Sequence, residues 1–211
     1  MLDIHLPHGK LHDIKEFFLH LFTITVGLFI ALSLEGLVEY EHHRHLAHEA
    51  EDSLRSEIAN NAKEMEYFRQ QIKVRQKQLQ TDQDILAGLR IHPGTIHGMS
   101  LGVQFEGFDD ISWKTAQNTG AVAYMPRKDA QTFSEIYTEQ DILFKVVWEF
   151  TEEMANSTSL PISHPDDWIP SPAQIDIETD RIGRMQVRLI QISSAVDQLD
   201  KTYQEFEAEH R

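Results

Sequence analysis

Four histidines stand within seven residues, His42, His43, His45 and His48, set among Glu39, Glu41, Glu49, Glu51 and Asp52. On a helix, Glu41, His45, His48, Glu49 and Asp52 recur at steps of three and four and so share one face. Imidazole and carboxylate at that spacing can hold Zn²⁺ or another divalent ion, with neighbouring carboxylates orienting the rings. The same histidines change charge near pH 6 and would then place positive charge among Glu39, Glu41, Glu49 and Asp52. The plainer reading is a solvated helix face, with His and Arg44 at a headgroup boundary.

The other candidate groups are weaker. His92, His97 and His164 fall in loop sequence, where chance proximity is the simpler account. Asp109/Asp110 and Asp166/Asp167 read as capping or turn residues before they read as carboxylate pairs. Trp113, Trp148 and Trp168 read as core or seam residues rather than a ligand cage. Asn156-Ser-Thr158 matches a glycosylation acceptor, which has meaning only in the right secretory pathway. The sequence holds no Gly-rich phosphate loop, no GxSxG, no HExxH and no cysteine. No catalytic residue and no cofactor follow from it, and the expectation is a non-enzymatic protein.

The element that positions the histidine belt lies just before it. Phe17–Leu34 is uncharged, with only His20, Thr23, Thr25 and Ser33 polar, and Gly36-Leu-Val38 extends it past Glu35. As a helix this run is roughly 27–33 Å long, the thickness of a bilayer's hydrocarbon core. It shows no polar face of the kind a buried soluble helix carries. A secretory signal peptide competes, since Lys10 and Lys15 precede the run and Ala31-Leu-Ser33 is a passable cleavage site. Against it stand a His- and Asp-rich leader and a run longer than a usual h-region. A fully buried soluble helix is the remaining alternative. Thr23, Gly27, Ala31 and Glu35 stack on one side, where small residues let two helices approach in lipid. An acidic group at the end of that stripe prefers protein or water to lipid tails.

Net charge is −15, and residues beyond 38 carry 17 basic and 30 acidic groups, or −13. So acidic a surface argues against nucleic acid and anionic headgroups as partners, because both need Lys/Arg clusters. The partners expected are a lipid bilayer and either further copies of the chain or another membrane protein. Flanking Lys/Arg numbers are nearly balanced; Lys15 beside the run favours a cytoplasmic amino terminus with the domain outside.

The fold class read from this pattern is all-α. A tail (1–16) precedes a single transmembrane helix (17–38), which continues into a long amphipathic stalk (39–90). A loop with a short helix (91–125) and two further bundle helices joined by a Ser/Pro-rich connector (126–211) follow. After Gly36, the one breaker between the membrane run and the stalk, no Gly or Pro occurs until Gly88, so one helix is predicted from about Ile14 to about Leu89. Leu54, Ile58, Asn61, Met65, Phe68, Ile72, Arg75, Leu79, Asp82, Leu86 and Leu89 alternate steps of four and three, the period of a coiled-coil seam. Pro93 ends this helix. Leu101–Phe108 alternates weakly, as an extended segment would. Asp109/Asp110 should cap the helix ISWKTAQNT, with Gly120 closing it. Pro126 fits the first turn of a third helix to about Asn156, with Phe133, Tyr137, Gln140, Phe144, Val147, Thr151 and Met154 as its inner stripe. The stretch 156–172 reads as too proline-rich to be helical. Ser171 then caps a last helix to about Glu209, with Pro172 at its first position. Its stripe is Ile175, Glu178, Ile182, Met185, Leu189, Ile192, Val196, Leu199, Tyr203 and Phe206. Helices with such stripes most simply make an antiparallel bundle.

Val26-Gly-Leu-Phe-Ile-Ala-Leu32, an acidic turn and a long helix resemble a group of uncharacterised bacterial single-pass membrane proteins. That group carries a V-x-G-I-L-I-A-L-type helix near the amino terminus. Ser112-Trp-Lys-Thr-Ala-Gln-Asn-Thr-Gly120 is similar to the group's short Trp motif ending in Gly. Glu35–Arg44 departs from the Asn/Trp-rich turn that often follows the membrane helix there. The resemblance implies a bacterial inner-membrane protein with its domain outside, and it transfers no activity.

Three functions fit this reading. The first is a membrane-anchored helical protein acting through oligomerisation or partner binding. The second is an extracytoplasmic sensing module that signals through a membrane partner. The third is an ion- or proton-conducting oligomer using Glu35.

Overall fold

The structure, a computed structural model, describes residues 12–99, 105 and 107–209. Four α-helices occur among them: α1 (His12–Ile91), α2 (Ile111–Asn118), α3 (Arg127–Ile162) and α4 (Pro172–Glu209), with a 3₁₀ turn at Ala121–Tyr124. No strand occurs among the described residues. The weak alternation over Leu101–Phe108 lies largely outside them, as does most of the 1–16 tail.

Helix α1 is continuous over 80 residues, about 120 Å at the α-helical rise. Gly36 does not interrupt it, and a Cβ there would meet no other atom within 4 Å. The helix closes with the His92 amide donating to Gly88 O at 2.9 Å, just ahead of Pro93. Its apolar first part stands clear of the rest of the chain, and from His43 onward it lies against the bundle.

Helix α4 is the centre of that bundle, packed along both α1 and α3. Arg69 reaches Asp200 at 2.7 Å and Asp197 at 3.3 Å, and Arg90 pairs with Asp176, so α4 runs antiparallel to α1. Arg184 with Glu153 at 2.8 Å, Arg188 with Glu149 at 3.0 Å and Lys128 with Glu209 at 3.0 Å set α4 antiparallel to α3 as well. Helices α1 and α3 therefore run the same way, and the chain must return along α1 between them. Phe105 packs on Phe68 of α1 and Phe150 of α3, while Phe108 packs on Phe68, Phe144 and Tyr203. The returning segment thus fills the gap between the parallel helices. Gly107 is fixed by that fit, since a Cβ would come within 3.0 Å of the Phe144 ring.

The heptad stripes are the core. Leu54, Ile58, Asn61, Met65, Phe68, Ile72, Leu79, Asp82 and Leu86 are buried, with Arg75 and Leu89 at its margin. All ten residues of the α4 stripe are buried, Glu178 among them. The α3 stripe departs from the expected one: Ile136, Leu143, Phe150 and Ser157 are buried, whereas Phe144 and Thr151 are only half-buried, because the face turned to α4 runs one position ahead of them.

Three expectations need correction. Helix α3 does not stop near Asn156 but continues to Ile162, through Pro161. Thr158 Oγ1 donates to Met154 O at 2.8 Å and Ser159 Oγ to Asn156 O at 2.7 Å, so these hydroxyls bond the helix's own carbonyls. Pro161 sits in the last turn, where its missing N–H removes one terminal bond instead of breaking an interior ladder. The connector is therefore 163–171. Asp110 makes no side-chain cap on α2; its carboxylate pairs with Lys114 at 2.5 Å, and Glu57 takes the first-turn amide of Ser112 at 2.7 Å. Trp148 is 71% exposed, neither core nor seam, because it faces away from α4. Pro126 stands at the N-cap of α3, one place before the first turn predicted for it, and two other caps match their prediction. Gly120 is left-handed at φ 75°, and Ser171 and Gln174 form a reciprocal capping box ahead of Pro172.

Candidate functional site

The histidine belt meets the rest of the chain where α1 leaves its apolar half. The left-handed Gly120 turns the chain out of α2 into the 3₁₀ turn, and Pro126 launches α3 from the same point. Tyr124 thereby lies flat on His43, ring centroids 3.8 Å apart and 11° from parallel. Beyond this stack, a cleft of about 730 Å³ opens between α1 and the 3₁₀ turn, lined by Glu41, Arg44, His45, His48 and Glu51 with Tyr124, Met125 and Pro126. On its other side, a slot of about 350 Å³ lies against Gly36, Glu39, Tyr40, His43 and Arg44.

Charge in the cleft is unevenly held. His45 Nε2 lies 3.3 Å from Glu49 and His48 Nε2 3.8 Å from Asp52, each pair well exposed and hence weak. Arg44 lies 3.7 Å from Glu41, again in solvent. Glu51 is different, with its side chain mostly covered. Burial first, then the negative charge of Asp129 on α3, push its carboxyl above the ordinary 4.5, and Arg55 and His48 oppose the shift.

Of the predicted belt, the fold gathers Glu41, His43, His45 and His48 around this stack. Glu49, 3.3 Å from His45, lines a separate groove against α2 with Leu46, Ala50 and Ile111. Asp52 lies toward Ser53, Glu57 and Ser112. His42 approaches His43 with ring centroids 6.0 Å apart. Among the described residues, no group of three or more His, Asp or Glu side chains is arranged to hold a metal ion. His97 contacts Thr95, and His164 stacks on Trp168 at 3.9 Å, while Trp113 stacks on Tyr137. Each tryptophan thus has its own setting.

Sequence reasoning missed the part of the site outside α1. Tyr124, Met125 and Asp129 lie too far along the chain for any periodicity in α1 to indicate them. It also missed Glu57, a buried carboxylate one position before Ile58 of the seam. Glu57 Oε1 accepts from the Tyr137 hydroxyl at 2.6 Å, and Oε2 takes the Ser112 amide. Beside it, the Asn61 side chain exchanges two hydrogen bonds with the Asp109 backbone, 2.8 and 2.9 Å. Gln140 Nε2 donates to the Tyr203 hydroxyl at 2.6 Å. Burial, then hydrogen bonding to Glu57, hold the Tyr137 phenol well above its usual range; burial does the same to Tyr203. These contacts tie the returning segment to α1, α1 to α3, and α3 to α4.

The membrane face predicted at Thr23, Gly27, Ala31 and Glu35 is open along its whole length. Thr23 Oγ1 donates to Leu19 O at 2.9 Å, so its hydroxyl is satisfied within the helix. The most apolar window of α1 has a mean hydropathy of 2.2, and none of it is buried against the chain. One helix is therefore long and apolar enough to cross a membrane.

Compared with known proteins, the chain matches no family model, no curated protein and no solved structure.

Proposed function

We propose that this chain is a membrane-anchored helical protein that acts by self-association or by holding a membrane partner. The observation that carries the reading is the uncovered half of α1. Fourteen large apolar side chains between Phe17 and Val38 are exposed. At about 1.5–3 kcal/mol each, leaving them in water would cost about 20–40 kcal/mol, more than a domain's whole stability. A bilayer removes that cost. The bundle seam is already filled by α4, which leaves the Thr23/Gly27/Ala31 face, with Glu35 at its end, as the surface for a second copy. In the same reading the chain is a bacterial inner-membrane protein with its bundle outside.

The absence of native cysteine makes the test clean. Single Cys substitutions from Leu19 to Glu35, oxidised in native membranes, should give dimers peaking at positions 23, 27 and 31. Flat crosslinking along the helix, in a chain that stays in the membrane after alkaline extraction, would reject the self-association face.

A sensing role has one specific support. Helix α1 carries both the membrane face and half of the cleft, without a joint between them. A ligand that shifts Tyr124 against His43 would therefore act on the membrane helix itself. Crosslinking yield at position 27 that does not respond to cleft substitutions such as His48→Gln would count against it.

A further inference from the structure

We infer that the slot between α1 and Tyr124 seats the headgroup of a zwitterionic phospholipid from the adjoining leaflet. The inference rests on the membrane-anchor reading above. Because α1 is unbroken, the height of every residue on it is set by the helical rise. His43 lies five residues past Val38, the last residue of the apolar run, or about 7.5 Å. A headgroup layer is about 5–7 Å thick. The slot, which runs along α1 from Gly36 to Arg44, therefore spans the layer from hydrocarbon edge to water.

Its walls match that location. Tyr40 and Tyr124 are rings with one polar end, suited to the interface. Among the described residues, Arg44 pairs with Glu41 in an exposed contact at 3.7 Å, which leaves its guanidinium available to a phosphate. Glu39 supplies a carboxylate for an ammonium. The floor is Gly36, where even a Cβ would meet open space. One cation and one carboxylate around a slot of about 350 Å³ suit a headgroup carrying both charges, and that volume lies within the about 300–1,000 Å³ of small-ligand clefts. An anionic headgroup would be repelled by the surplus negative charge beyond the membrane helix.

The test uses the full chain in micelles with phosphatidylethanolamine or phosphatidylglycerol of identical acyl chains, read by native mass spectrometry. Wild type should retain one phosphatidylethanolamine per chain. Arg44→Gln should retain it about tenfold less, the worth of one charge-assisted contact, and independently Gly36→Leu, which extends a side chain from a position where a Cβ meets no atom within 4 Å, should lower retention by a similar factor. Arg55→Gln, outside the slot, should behave as wild type. Equal retention by wild type and both slot variants would overturn the site, and preference for phosphatidylglycerol would overturn the zwitterionic assignment. Vesicle flotation separates the two levels: a chain that floats yet shows no slot effect refutes only the slot. A chain that fails to float refutes the anchor, and the slot with it.

Discussion

The two buried tyrosines make the bundle sensitive to alkali in a way that can be counted. The chain has five tyrosines. Tyr40, Tyr67 and Tyr124 are exposed, and Tyr137 and Tyr203 are buried. Burial, before any hydrogen bond, raises both buried phenols above the ordinary value of 10.0. In the unfolded chain the same two groups ionise near 10, so above that pH the folded state binds more protons than the unfolded one. Stability is then full below the ordinary value and falls as pH rises past it. The slope is about 1.4 kcal/mol per pH unit for each phenol, about 2.7 for the pair. Tyrosinate absorbance and helical circular dichroism should be followed together on the full chain in detergent. Tyr137 and Tyr203 should ionise only as the helix signal collapses. Tyr137→Phe should remove one of the two tyrosinates that appear with the collapse and halve the slope. Tyr137 and Tyr203 ionising ahead of any loss of helix signal would show that burial does not hold their protons.

Other perturbations follow from named contacts. Leu189→Ala removes a fully buried side chain from the centre of α4 and should cost about 2–5 kcal/mol by denaturant unfolding. Ser171→Ala deletes the α4 cap and should cost about 1 kcal/mol, read as a melting temperature about 2–4 °C lower. Glu51→Gln should stabilise. The raised carboxyl of Glu51 disfavours the charged form in the fold, so native stability improves as pH falls toward 4.5. The gain at neutral pH should be under about 1 kcal/mol after screening and should vanish in acid. A constant gap between variant and wild type across that range would place the effect elsewhere.

The long helices were legible because burial imposes its period on sequence. Each step of α4 from Ile175 to Phe206 lands inside, and even Glu178 sits where the period puts it, held by the Ser157 hydroxyl at 2.7 Å and by Arg181. The end of α3 was not legible. Ser, Thr and Pro are loop formers by propensity, and only the tertiary setting shows Ser157 buried against Glu178 and Thr158 bonding its own helix. Trp148 misled for a related reason. Large aromatic rings usually face inward, and no local signal marks the flank that α3 leaves open.

The candidate site was half legible, and the missing half explains the histidines better than their spacing does. Periodicity placed Glu41, His45 and His48 on one face but said nothing of what faces them. Tyr124 and Asp129 arrive from segments whose position depends on the return of the chain along α1, a path that no pattern within α1 encodes. That return is itself pinned by Glu57 and Asn61, polar residues at or beside the seam that hold backbone groups of Asp109 and Ser112 in the returning segment, while Glu57 also takes the Tyr137 phenol of α3. A uniform apolar seam would bury as much surface but would offer nothing to fix where that segment lies. The polar interruptions of the heptad pattern and the cleft at the belt are thus two ends of one device: the first sets the register of the returning chain, and the second is where that register delivers Tyr124 onto His43.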